Sequence, residues 1–552
     1  MESRRTSRGP RQQVVAYLGD VAEELCRGVE DAASGKPRQG ELFDEASAQW
    51  VEVDARRVRV ERARSFGGAW LALQLISELG LDTFLASELD GGRGLVPWSL
   101  IAQILVVQRL LEPSSELSVA EGGYERTALS DLLGVPPERV NDDRLYRALD
   151  RLLPSKAKLE KHLKERLGSL FGLTYDLLLY DVTSTFFEGK CEGNPQALRG
   201  YSRDSRGDCK QVTIALVVSR EGLPLGYEVF AGNRADVTSV EEIVGMIETR
   251  YGKADRVWAM DRGMASEDNL DFLKAEGRRY ILGTPKSQMK RYERELAEGD
   301  WETVREGLEV KKCASPSGDE TFILCRSSER REKDKAIHAR FATKIEAGLA
   351  KLVQSCEKRP LKTGDVERRI GRLLGKNTRA ERLFEVETKA REDGGTDLVW
   401  KKRKDVLDWS ELSDGCYMLR TNVTDWSGED LWRAYIQLTQ AESAFRICKN
   451  DLGLRPVWHQ KEERVQAHIL VCFLAYVLWK TLDLKCRNAG LGDSARKVLA
   501  EISAIQMVDV VLPTKCGIEI RKRCVSMPEA PLAVLLHNLK LTLPSNLEKH
   551  EL

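Results

Sequence analysis

A carboxylate stands in the middle of an apolar strand. In "LLLYDVTSTFFEGK" four apolar residues, Leu177 to Tyr180, run straight into Asp181, and three small hydroxyl residues (Thr183, Ser184, Thr185) and two aromatics follow. A buried charge there is strongly unfavourable unless something pairs with it. The fold must neutralise Asp181 or use it. The pattern recurs further on, where the apolar run of "RVWAMDRGM" ends in Asp261.

Periodicity places the two acids relative to each other. From Leu173 the alternation is that of strands, and "YDLLLYDVTSTFFEG" is the first. "KQVTIALVVSR" and "PLGYEVFAG" follow, joined by a turn at Glu221-Gly222, and read as an antiparallel hairpin. "DVTSVEEIVGMIETRYG" reads as a helix with Thr238 and Glu241 spaced as a capping box. "RVWAMDRGM" is a strand, "SEDNLDFLKAEG" a helix starting at Ser266, and "RRYILGTPK" a strand. In that order the first strand is central and the fourth lies beside it, so Asp181 and Asp261 stand side by side. A third acid, Glu442, lies in "YIQLTQAESAFRICKNDLG", helical by the spacing of Leu438, Phe445 and Leu452, and would come from above.

Three clustered carboxylates repel one another unless cations neutralise them. Magnesium suits hard oxygen ligands and phosphate substrates. Two such ions about 3.5–4 Å apart activate the attacking oxygen of a phosphodiester reaction and stabilise the leaving one. Taken singly, Asp261 before Arg-Gly reads as a turn residue and Asp181 as a cap or an ion-pair partner; the combination with the strand order favours a site.

The remainder of the chain bounds the reading. At 552 residues about three domains are expected. Lys plus Arg and Asp plus Glu number 86 each, so a nucleic-acid surface would have to be local. Between Arg326 and Leu383 there are 17 Lys or Arg against 8 Asp or Glu, which is either a solvated helical face or a phosphate-contacting one. The twelve cysteines form no C-x-x-C pair, which argues against a zinc ribbon and for a reduced cytoplasmic chain. The opening "MESRRTSRGPRQQ" lacks a signal peptide's apolar core, and "HILVCFLAYVLWK" reads as a buried helix too short to span a bilayer. No Walker-type loop or G-x-S-x-G elbow is present. His459 reads as a surface residue, His468 as a helix-packing one, and Trp458 as a core or interface residue rather than a stacking platform. Lys210 and Arg262, beside the hairpin and the second Asp, are candidate phosphate contacts.

The N-terminal third reads as weakly structured to residue 65, apart from a helix over Val14 to Ala33. It is then helical through "WLALQLISELG", "WSLIAQILVVQRLLE" and "DRLYRALDRLL", with Asp142 and Asp143 where the last would be capped. That front end fits a DNA-reading module and a helical scaffold equally well.

"YDVTSTFFEG", "LPLGYEVFAGNRADVTS" and "VWAMDRGMASEDNL" together resemble bacterial insertion-sequence transposases of the DDE type. The branch is that of the insertion-sequence-four superfamily whose first acidic motifs read YDVT and DRGM. The superfamily's signature is Tyr, two residues, Arg, three residues, Glu, six residues, Lys. Tyr435, Glu442 and Lys449 match it, while Leu438 stands at the Arg position with Arg433 and Arg446 nearby. Arg446 shares a helical face with Glu442 and Lys449 and is a further candidate phosphate contact.

The resemblance implies an α/β fold, a ribonuclease-H-like (retroviral-integrase-like) catalytic core with a helical N-terminal domain and an insertion domain between the second Asp and the Glu. The expected division is 1–65 poorly structured, 66–172 helical and a candidate DNA-end binder, 173–286 first part of the core, 287–412 basic insertion, 413–482 second part of the core, and 483–552 a candidate dimerisation region. It implies that Asp181, Asp261 and Glu442 hold two magnesium ions, with manganese as a substitute, and that Lys449 and Tyr435 contact DNA phosphates. The implied partners are the element's terminal inverted repeats and target DNA, with a homodimer in the synaptic complex and no membrane. The implied activity is cut-and-paste transposition by a cytoplasmic, nucleoid-associated bacterial protein. The rival readings are a ribonuclease-H-like nuclease without strand transfer and an inactive, domesticated DNA-binding protein.

Overall fold

Four of the principal helices precede the first strand of the large sheet: α1 (Gly67–Glu78), α2 (Trp98–Leu111), α3 (Asp142–Leu152) and α4 (Lys156–Phe171). In this computed structural model the described residues are 52–544 apart from 92–95, 316–317, 493 and 516, together with the backbone of a ribbon pairing Glu2–Thr6 with Gly9–Gln13. The helix expected over Val14 to Ala33 lies outside the described residues. The cap of α3 is Asn141, whose side chain accepts from the Arg144 amide at 2.9 Å, rather than Asp142 or Asp143. Those two carboxylates fall in the first turn, where the helix dipole favours them.

The strands then build one mixed sheet. β1 (Leu177–Phe186) pairs antiparallel with β2 (Gln211–Ser219), and β2 with β3 (Pro224–Ala231). Gly222, at φ +85°, makes the hairpin turn possible. α5 (Val240–Tyr251) leads to β4 (Val257–Met260), and α6 (Glu267–Ala275) to β5 (Arg279–Gly283); β4 is parallel to both β1 and β5. The expected capping box does not form. A 3-10 turn precedes α5, and the Thr238 hydroxyl donates to the Ala235 carbonyl at 2.8 Å instead. At α6 the Ser266 cap forms, accepting from Asn269 N at 3.2 Å.

β1 is apolar on both faces because both are covered. Leu178, Tyr180 and Val182 pack with α5 and α6, while Leu177 and Leu179 join the main core.

The segment 287–412 is not a layer of its own. β6 (Glu302–Arg305), β7 (Leu308–Ala314) and β8 (Thr321–Ser327) extend the same sheet. α7 (Ser328–Lys358), α8 (Thr363–Gly375) and a hairpin, β9 (Phe384–Ala390) with β10 (Thr396–Lys402), form a satellite with a separate core around Ile345, Leu349 and Val366. β11 (Cys416–Thr421) then returns between β5 and β8, giving the order β3-β2-β1-β4-β5-β11-β8-β7-β6.

α9 (Gly428–Ile436) and α10 (Leu438–Asn450) break at Gln437, so the stretch read as one helix is two. α11 (Glu462–Asn488) is longer than "HILVCFLAYVLWK" suggested. At 27 residues it is long and apolar enough to cross a membrane, yet 94% of its most apolar window is buried inside the protein. It is the central core helix, packed on α1, α2, α3 and α10. At the end of the chain β12 (Gln506–Pro513) pairs with β13 (Glu519–Val525) and with Arg59–Ser65, so the segment read as weakly structured up to residue 65 contains a strand.

Candidate active site

The parallel register fixes the first two acids. Tyr180 of β1 lies opposite Met260 of β4, so the next residue on each is a carboxylate: Asp181, still within β1, and Asp261, the first residue past β4. Glu442 projects from the second turn of α10, which packs on β1. All three line one open cleft of about 730 Å³.

Asp181 is the innermost. Burial pushes its carboxyl up to about 7, against the hydrogen bond from its neighbour's Val182 amide at 2.8 Å. The charges of Asp261 and Glu442 push it the same way, and the nearby Arg203 opposes them. Among the described residues none of the three acids makes an ion pair. The donor set is three carboxyl groups, oxygen only and free of ion pairs, which fits a hard divalent cation. The three hydroxyls after Asp181 are buried: Thr185 donates to the Leu454 carbonyl at 3.3 Å, and Ser184 accepts from the Arg203 amide at 3.2 Å. They tie β1 to the chain that follows α10 and to the segment carrying Arg203.

Tyr435 reaches the cleft from the end of α9, its hydroxyl 3.5 Å from Asp261 Oδ1. Burial, and then Asp261, hold that hydroxyl above its ordinary pKa, so it is a neutral donor. The ring lies against β5. A Cβ on Gly283 would sit 2.5 Å from the Tyr435 hydroxyl oxygen and 3.1 Å from the Arg262 amide. Arg262 also lines the cleft.

The other expected phosphate contacts lie elsewhere. Lys449 is held by Asp204 at 2.8 Å, with Arg455 on the same carboxylate oxygen, and Lys449 and Asp204 are 9% and 4% exposed. Burial, chiefly, lowers the Lys449 pKa. Arg446 is exposed and donates to Ser443 at 3.2 Å, and Lys210 donates to the Cys191 carbonyl at 3.2 Å. Leu438 is 8% exposed and belongs to the main core, and Arg433 pairs with Glu429. His468 is buried as expected, but His459 is not a surface residue. Its side chain is 8% exposed, its Nε2 3.5 Å from Glu116. Trp458, read as a core or interface residue, is 65% exposed.

Sequence reasoning missed the rest of the cleft lining: Lys286, Arg330, Asp334, His338, Arg379 and Tyr417. Its only signal was the basic run from Arg326 to Leu383, which did not say which cations face inward. Also missed was Glu116, whose carboxylate meets His459 and His468 with their ligand atoms all within 4.8 Å. That group does not suit a metal. The Arg109 guanidinium already lies 3.4 Å from His468 Nδ1 and 3.9 Å from Glu116. Although burial opposes it, His459, His468 and Arg109 hold Glu116 down to about 2, while burial and Arg109 push His468 down to about 3. With Arg109 also donating to the Gly453 carbonyl, the group joins α2 to the loop after α10.

Comparison with known proteins gives one family assignment. No curated protein matches the chain. Among solved structures, the cryo-EM structure of the piggyBac transposase synaptic complex with hairpin DNA aligns over 81% of this chain and 82% of that one, at 9% identity and a TM-score of 0.39, too low to carry an argument. The family model described as the transposase DDE domain matches residues 174–478, more than half of the chain and a span that contains Asp181, Asp261 and Glu442. The chain belongs to the transposase DDE-domain family.

Proposed function

We propose that this transposase nicks the ends of its own insertion sequence and joins the freed 3′ hydroxyls to target DNA, as a cut-and-paste enzyme of the insertion-sequence-four superfamily. The observation that carries the reading is the meeting of Asp181, Asp261 and Glu442, from two adjacent parallel strands and a covering helix, in one cleft and, among the described residues, without an ion pair to any of them. Strands β1 to β5, in the order β3-β2-β1-β4-β5, support a ribonuclease-H-like core.

Asp181, Asp261 and Glu442 are the residues that would hold the magnesium ions. When bound, the metal supplies Lewis-acid activation of the attacking oxygen and charge stabilisation at the scissile phosphate. Asp181 fixes one ligand rigidly, because it sits inside a strand paired on both sides. Asp261, just past its strand, and Glu442, exposed on α10, adjust to substrate. Tyr435 donates its hydroxyl within the cleft and orients Asp261 or a phosphate oxygen. The same site serves cleavage and joining, since both steps exchange one phosphodiester oxygen for another. The assembly we infer is a homodimer pairing two element ends, with 483–552 as its candidate interface and the cytoplasm as its compartment.

The test is cleavage of a labelled duplex carrying the inverted repeats that flank the gene, with magnesium. Cuts at the repeat ends that vanish in Asp181→Ala, Asp261→Ala and Glu442→Ala, while binding persists, are expected. Binding without cutting by the unaltered protein, or cutting indifferent to the repeats, would refute it.

A further inference from the structure

The cleft has two walls of opposite character. One carries the three acids. The other comes from the satellite: Arg330 from the first turn of α7, Asp334 and His338 further along it, and Arg379 from the chain after α8. Asp334 and His338 on this wall are already partnered. Asp334 lies 3.8 Å from Lys286 and accepts from the Gly415 amide, and His338 pairs with Asp414 at 3.2 Å. Arg330 and Arg379 differ. Both are exposed, and among the described residues neither guanidinium makes an ion pair or a hydrogen bond. Arg433 and Arg420, by contrast, are matched by Glu429 and Glu320, while Arg262, next to Asp261 in the same cleft, is a third guanidinium without an ion pair among the described residues.

Arg330 is also oriented. Its guanidinium carbon lies 4.6 Å from the centroid of the Tyr417 ring, and the Tyr417 hydroxyl accepts from the Trp432 indole at 2.6 Å. Stacking holds the guanidinium plane while leaving its N–H groups open to the cleft. The catalytic helix offers no such cation, since it lines the cleft with Leu438, Thr439 and Glu442.

We propose that Arg330 and Arg379 form a phosphate-binding wall that grips the DNA backbone opposite the acids, so that the strand to be cut runs between the satellite and α10. The inference rests on the reading of this cleft as the DNA-cutting site. A guanidinium suits the role because it stays charged and presents two parallel donors to phosphate oxygens. The face of the satellite's basic run that matters is therefore the one turned to the cleft.

The test uses the full chain with Arg330→Met, which keeps the stacking length and removes the charge, Arg330→Lys, Arg379→Met and the double Met variant. Binding of a labelled duplex of unrelated sequence is followed against salt concentration with calcium in place of magnesium. Single-turnover cutting of the repeat-end duplex is measured alongside, with thermal unfolding as the check on folding. Each Met substitution is expected to reduce the slope of log affinity against log salt by about 0.9, and the double variant by about 1.8, with an unchanged melting profile. Arg330→Met is expected to slow cutting about 10- to 100-fold, with Arg330→Lys retaining the salt slope. Unaltered slopes in both Met variants would overturn the proposal. So would equal losses in Arg330→Met and Arg330→Lys accompanied by early melting, which would make Arg330 a packing residue for α7. If the unaltered protein binds duplex and shows the slope changes but never cuts repeat ends, the transposition reading falls and the phosphate wall stands. No binding at all removes both.

Discussion

Asp181→Asn should make the metal-free protein more stable, and the structure sets the size of the gain. The substitution keeps the shape of the side chain and an acceptor for the Val182 amide while removing a charge held against its preference. The ordinary carboxyl value is 3.8 and the folded value about 7. At about 1.4 kcal/mol per unit, that difference of about three units corresponds to about 4 kcal/mol.

The sign follows from proton counting. Below 3.8 both states carry the proton and the group contributes nothing. Between 3.8 and about 7 the unfolded chain releases it while the folded one keeps it, so stability falls as pH rises. Above about 7 the penalty is complete. With an unfolding entropy of about 2.1 cal/mol/K per residue, a chain of 552 residues would show a rise of about 3.5 °C in its melting temperature.

The assay is calorimetry of both proteins with a chelator across this pH range. The difference should be absent in acid, grow through neutrality and level off above it. Magnesium should narrow or reverse the gap, because only the unaltered site gains from it. An Asn variant no more stable than the parent well above pH 7, with the chelator present, would refute the account of Asp181 as an uncompensated charge.

Gly283→Ala should cut activity sharply with little change in the overall fold, because the new Cβ would lie 2.5 Å from the Tyr435 hydroxyl; Tyr435→Phe measured beside it should lose less than the displaced ring does. Asp204→Ala should leave Lys449 and Arg455 close together and unneutralised, lowering stability by about 3–5 kcal/mol in urea unfolding, and a loss under about 1 kcal/mol would mean the pair is merely superficial.

What could be read from the chain alone was whatever depends on near neighbours. The alternation around Asp181 and Asp261, and the turn at Gly222, are local, and they fix the parallel register that sets the two acids side by side. The Asp204 carboxylate that occupies Lys449 comes from a loop 245 positions away, and nothing in the local pattern at 449 points to it. His459 looks solvent-facing beside Gln460 and Lys461, yet Glu116 draws it inward from the helical front end. The cap of α3 slipped by one residue because Asn, Asp and Asp in a row all suit helix starts, and only the geometry of the entering chain chooses among them. The basic run of the insertion announced a charge excess; which arginines face the acids depends on how the satellite folds back over the sheet.

The position of β11 has a consequence for the order in which the enzyme comes into being. β1 to β5 and their two helices form a contiguous stretch that can pair as soon as it is made, bringing Asp181 and Asp261 together early. Glu442 arrives 181 residues after Asp261, beyond β6 to β10 and the satellite, on a helix that follows β11 in the chain, and β11 lies between β5 and β8. Closure over so long an intervening segment is expected to come late in folding. A nascent or truncated chain would therefore hold two of the three acids and be inert, and only a protein whose insertion has folded would carry a complete set. For a protein of the transposase DDE-domain family, completion of the acidic triad would then coincide with completion of the whole molecule.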